Sequence, residues 1–151
     1  MMRRRHFLSI ILWLPLLIGS AAATGEALPP RTLRVLFIGN SYTHVNDLPG
    51  IIADLLPARG IKLEHESVTS GGATLEKQWA DGKALAAIRK HGWDYVVLQE
   101  QSMRPFRDRD AMFKAARLLH AEIEKTGAKT LLYETWAAKA SPDEQPELTK
   151  S

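Results

Sequence analysis

The chain has 151 residues, enough for one domain with a buried core, and 45% of them are hydrophobic. It has no cysteine, which excludes a disulfide framework and a thiolate metal site. The formal charge of +3 rests on Arg3, Arg4 and Arg5; without them basic and acidic residues balance, so charge gives no support for binding nucleic acid or an anionic membrane.

Arg3 to His6 form a basic region, Phe7 to Ile18 an apolar one interrupted by Pro15, and Ala21-Ala22-Ala23 a small-x-small cleavage site. This order predicts a secretory signal peptide over residues 1–23, cut after Ala23. The apolar run is shorter than the roughly 20 residues a spanning helix needs, so no stable membrane anchor is expected. Arg4-Arg5-His6-Phe7-Leu8 also resembles a twin-arginine signal, and by either route the destination is the periplasm or the medium. Residues 24–31, with Gly25, Pro29 and Pro30, read as a linker, and residues 32–151 as one domain.

Leu33 to Ile38 is an apolar run too short for a helix and reads as a buried strand, ending abruptly at Gly39-Asn40-Ser41. A hydroxyl at the carboxyl end of a strand is where open α/β sheets hold ligands, and a nucleophile needs such a rigid mount. The same tripeptide also makes ordinary turns and caps. Asp47 and Pro49 predict a helix start, and Leu48, Ile51, Ile52, Leu55 and Leu56 give that helix one apolar face, closed by Gly60. Residues 61–68 alternate weakly and predict a strand near a sheet edge.

Gly71-Gly72 at the next strand-to-helix junction frees backbone amides that can face an oxyanion, or simply makes a flexible turn. Leu75, Trp79, Leu85 and Ile88 predict helix, recapped at Asp81-Gly82. Tyr95 to Leu98 is continuously apolar, as expected of a central parallel strand, and ends in Gln99-Glu100-Gln101-Ser102. These are either donors for an oxyanion or a polar loop. Asp108 or Asp110 starts a helix with the stripe Met112, Ala116, Leu119 and Ile123. Residues 130–133 predict the fourth strand, with Glu134-Thr135-Trp136 on its rim. A rim tryptophan can stack on a sugar, line a pocket or pack under a loop.

Four alternations of strand and helix predict an α/β domain with a parallel sheet and helices on both faces. In that frame Gly39-Asn40-Ser41 resembles the first block of the SGNH (GDSL-type) hydrolases, with Asn40 where many members carry aspartate. Gly72-Ala73-Thr74 resembles the second block. Val96 to Ser102 falls where the third belongs, with Gln101 in place of the asparagine of Gly-x-Asn-Asp. Tyr133-Glu134-Thr135-Trp136 fits a bacterial exported branch, and the resemblance covers roughly residues 33–137.

The resemblance implies a flavodoxin-like three-layer α/β/α sandwich and a serine esterase that needs no cofactor or metal. Ser41 would be the nucleophile, and the Ser41 and Gly72 amides with the Gln101 side chain would form the oxyanion hole. The substrate would be a small ester such as an acetylated carbohydrate. The family's last block, Asp-x-x-His, supplies the base and its orienting acid. None of Asp47, Asp54, Asp81, Asp94, Asp108, Asp110 or Asp143 has a histidine three residues on, so the triad's base and acid are missing and the domain reads as incomplete at its carboxyl end. His44, His65, His91 and His120 do not stand in the expected late position. The rival expectation is a non-catalytic periplasmic α/β domain binding a small ligand on the same rim. A flavin- or phosphate-binding relative fits less well, because the first loop lacks a run of Ser/Thr and Gly amides.

Overall fold

The computed structural model describes residues 29–90, 92–136 and 142, 145 and 146. The predicted signal peptide and His91 lie outside the described residues. Among the described residues no helix is long and apolar enough to cross a membrane.

Four parallel strands, β1 (Arg31–Gly39), β2 (Ile61–Thr69), β3 (Tyr95–Gln99) and β4 (Lys129–Tyr133), form one sheet in the order β2-β1-β3-β4. Strand β1 begins inside the expected linker because Arg31 already pairs with Ile61 and donates its amide to the Gly60 carbonyl at 3.0 Å. The strand order reverses between β1 and β3, and in open α/β sheets the ligand crevice opens at that reversal, at the strands' carboxyl ends. Ser41 follows β1 and Gln101 follows β3, so both stand at this point.

The period of two along parallel strands sorts the core. Leu36, Ile38, Val96 and Leu98, each at most 1% exposed, face one side. Three helices cover them: α3 (Leu75–Ala80), α4 (Lys83–Ile88) and α6 (Arg109–Glu124), which contribute Leu75, Ile88, Leu119 and Ile123 among others. Each such side chain contributes about 1.5–3 kcal/mol by burial, so this face dominates stability. Helix α6 starts at Asp108, whose carboxylate accepts from the Ala111 amide at 3.2 Å.

Val35, Phe37 and Leu63 face the other side, under α2 (Leu48–Leu55) and a 3₁₀ turn over Leu56–Arg59. Helix α2 is capped by Asp47 as predicted. Its expected apolar face is only partly used: Ile52 and Leu56 pack on the sheet, while Ile51 and Leu55 stay 48% and 68% exposed. Two short helices, α1 (Ser41–His44) and α5 (Arg104–Arg107), line the rim. Among the described residues both outer strands are edges. Strand β2 carries Lys62, Glu64 and Glu66, which blunt it, with ion pairs Lys62–Glu64 at 2.9 Å and Lys90–Glu66 at 2.7 Å. Strand β4 leaves Leu131 and Leu132 exposed.

Candidate active site

Three turns meet at the rim, and buried polar side chains tie them together. In the first, Gly39 ends β1 where no side chain fits: a Cβ there would lie 2.6 Å from Thr43 Oγ1 and 2.7 Å from Gln99 Oε1. Asn40 is extended, 2% exposed, and caps α1 by accepting from the Tyr42 amide at 3.1 Å. Ser41 is therefore the first residue of α1, where an amide has no acceptor within the helix. Ser41 is half-buried, and its hydroxyl makes no hydrogen bond among the described residues.

The second turn, Ser70 to Ala73, is held against the first. Asn40 Nδ2 donates to the Ala73 carbonyl at 2.9 Å, and the Ser70 amide donates to the Gly39 carbonyl at 3.4 Å. The same carbonyl accepts from Gln78 Nε2 at 2.7 Å. Gly72 is exposed with φ +65°, a left-handed backbone that explains the glycine.

The third turn follows β3. Gln99 is fully buried, and its Oε1 accepts from the Asn40 amide and from Thr43 Oγ1, both at 3.0 Å. Its Nε2 donates to the Glu100 carbonyl. Glu100 is 6% exposed, and one oxygen, Oε1, accepts from the Leu75 amide at 3.2 Å and the Gln101 amide at 2.6 Å. Burial pushes the Glu100 carboxyl above the usual range, against the pull of those two amides and of Arg104. Gln101 is half-buried; its side chain accepts from the Met103 amide at 2.9 Å and donates to Ser102 Oγ at 3.3 Å.

Thus Ser41, Gly72 and Gln101 all lie on one rim, on three turns joined by Asn40, Gln99 and Glu100. The sequence reading missed the structural roles of Gln78, Gln99 and Glu100. Their signal was a polar residue at a position patterned as core: Gln78 sits three residues after Leu75, and Gln99 directly follows Leu98.

Histidines are distributed differently. His44 ends α1 and is exposed. His65 stands on β2 with its ring 6.4 Å from that of Phe37. His120 Nδ1 meets Thr130 Oγ1 at 2.8 Å, and Nε2 lies 3.5 Å from Glu124. No described histidine hydrogen-bonds to Ser41.

Solved structures share this architecture. A protein from Slackia heliotrinireducens described as an SGNH hydrolase superposes with a TM-score of 0.67 at 26% identity, over 80% of this chain and 71% of its own. The chain has the fold of the SGNH hydrolases. The esterase EstA from Pseudoalteromonas sp. matches at TM-score 0.59 and 14% identity, over 78% of this chain and 68% of its own. The acetyl xylan esterase AlAXEase matches at 0.54 and 18%, with the same coverage. No family model and no curated protein matches the chain.

Proposed function

We propose that the protein is a serine ester hydrolase of the SGNH type. One observation supports this most: Ser41 stands at the sheet's switch point with a hydroxyl that makes no hydrogen bond among the described residues and with its amide at a helix start, while buried side chains pin two further turns beside it. Ser41 Oγ would attack the ester carbonyl, its proton passing through solvent water to the departing alkoxide, and a further water would then cleave the acyl-serine to the free acid and restore the hydroxyl. The amides of Ser41 and Gly72 and the side-chain amide of Gln101 would donate to the developing oxyanion, and the alcohol would leave. For Gln101 this requires its Nε2 to exchange Ser102 Oγ for the substrate oxygen. The chain carries no Asp-x-x-His, so turnover by these residues alone should stay near the 10³- to 10⁴-fold over water that oxyanion and binding terms supply.

The test is covalent labelling of Ser41 by a fluorophosphonate probe in the presence of imidazole, which supplies the base that this chain lacks, located by mass spectrometry. Labelling is expected on Ser41, is lost in Ser41→Ala, and slows by about 10²- to 10³-fold in Gln101→Ala, the scale of one oxyanion donor. The second reading, a non-catalytic domain that uses the rim to bind a ligand, draws support from Ser41 having no histidine hydrogen-bonded to it among the described residues. An unlabelled Ser41 in folded protein decides for that reading.

A further inference from the structure

Beside Ser41 the rim opens into a groove of about 430 Å³. Its walls are Tyr42 and Val45 from the first turn, Leu48 and Ile51 from α2, and Tyr133 and Trp136 from the end of β4. Tyr42 meets the Trp136 ring edge to face at 5.0 Å, and Tyr133 lies 6.2 Å from it, so three rings from distant parts of the sequence form one aromatic wall. Val45, Ile51 and Trp136 are each about half exposed and share this groove, and contiguous exposed apolar surface is typical of ligand and interaction sites.

The polar content is small. Among the described residues no charged side chain lines the groove, and besides Ser41 the polar side chains are Asn46 and the two tyrosines. Sugar recognition needs several convergent donors and acceptors beside an aromatic ring, because each buried hydroxyl left unpaired weakens binding. An apolar group needs only the walls. An acetyl group has three heavy atoms and displaces about three waters at about 30 Å³ each, leaving most of the groove unfilled.

We infer that this groove selects esters bearing an apolar aliphatic or aryl group larger than acetyl, seated between α2 and the Tyr42–Tyr133–Trp136 wall, in preference to acetylated sugars. The inference rests on Ser41 being the nucleophile only in calling the occupant an ester; that the groove takes an apolar chain stands on its lining.

The experiment separates the two. Straight-chain methyl ketones from 2-butanone to 2-octanone, which carry the carbonyl but cannot be cleaved, are titrated against the full chain by tryptophan fluorescence. Trp136→Phe identifies the Trp136 component of the signal. Affinity is expected to rise about two- to fourfold per added methylene, fourfold being full burial and twofold a half-open groove. Ile51→Asp, at an exposed position that tolerates charge, should weaken 2-octanone at least tenfold without changing the far-UV circular dichroism. A flat series on the wild-type chain, or 6-O-acetylglucose binding more tightly than 2-octanone, overturns the inference whatever the variants do. Fluorophosphonate labelling runs alongside. Labelled Ser41 with a flat series keeps the hydrolase and removes the apolar groove, whereas an unlabelled Ser41 with a rising series keeps the groove and removes the hydrolase.

Discussion

Gln99→Leu tests the arrangement that holds Ser41. Gln99 is fully buried, and its Oε1 is the acceptor for two donors, the Asn40 amide and the Thr43 hydroxyl, each at 3.0 Å. Both donors belong to residues no more than 2% exposed, so water cannot replace the lost acceptor without opening the turn. Leucine fills nearly the same space and accepts nothing. Two orphaned buried donors cost about 1–3 kcal/mol each, and the added apolar burial returns part of this, which leaves a net loss of about 2–4 kcal/mol. Urea unfolding followed by circular dichroism should show a lower midpoint at unchanged slope. A cycle with Thr43→Val makes the test specific. Removing both partners of one bond costs less than the sum of the single losses, so the double variant should fall short of additivity by about 0.5 kcal/mol or more. Strict additivity, or a Gln99→Leu loss below about 0.5 kcal/mol, would refute the claim that this side chain anchors the serine turn.

Three further outcomes follow from the same residues. Glu100 has a folded-state pKa raised by burial, so its contribution to stability is fully present below the unfolded value near 4.5 and is lost as pH rises through the raised one; Glu100→Gln should remove that decline, so the melting temperature of the variant relative to wild type should rise as pH goes from acid to neutral. A difference that does not change with pH would contradict it. Leu132→Lys, at a position 68% exposed on the β4 edge, should change unfolding free energy by no more than about 0.5 kcal/mol while reducing aggregation measured by light scattering. Exported protein should begin at Thr24, and an intact Met1 by mass spectrometry would count against the signal peptide.

Much of this molecule was legible along the chain because its signals are local. The run Val35 to Ile38 cut off by Gly39, the Asp47-Pro49 cap and the recapping at Asp81-Gly82 each depend on neighbours a few residues away, and each element formed where its pattern placed it. Parallel strands joined by helices also bring their carboxyl ends to one rim, so Ser41, Gly72 and Gln101 could be grouped without coordinates. What only the tertiary structure decided concerns groups whose partners are distant in sequence. Gln99 and Asn40 are 59 residues apart, Glu100 and Leu75 are 25, and no local pattern reveals that these polar side chains are core residues satisfied across turns. The aromatic wall is of the same kind, since Tyr42 and Trp136 meet only because β1, β3 and β4 lie side by side. The exposure of Ile51 and Leu55 has the same origin: helical periodicity marks a side chain as apolar, but only the packed neighbours determine whether anything covers it.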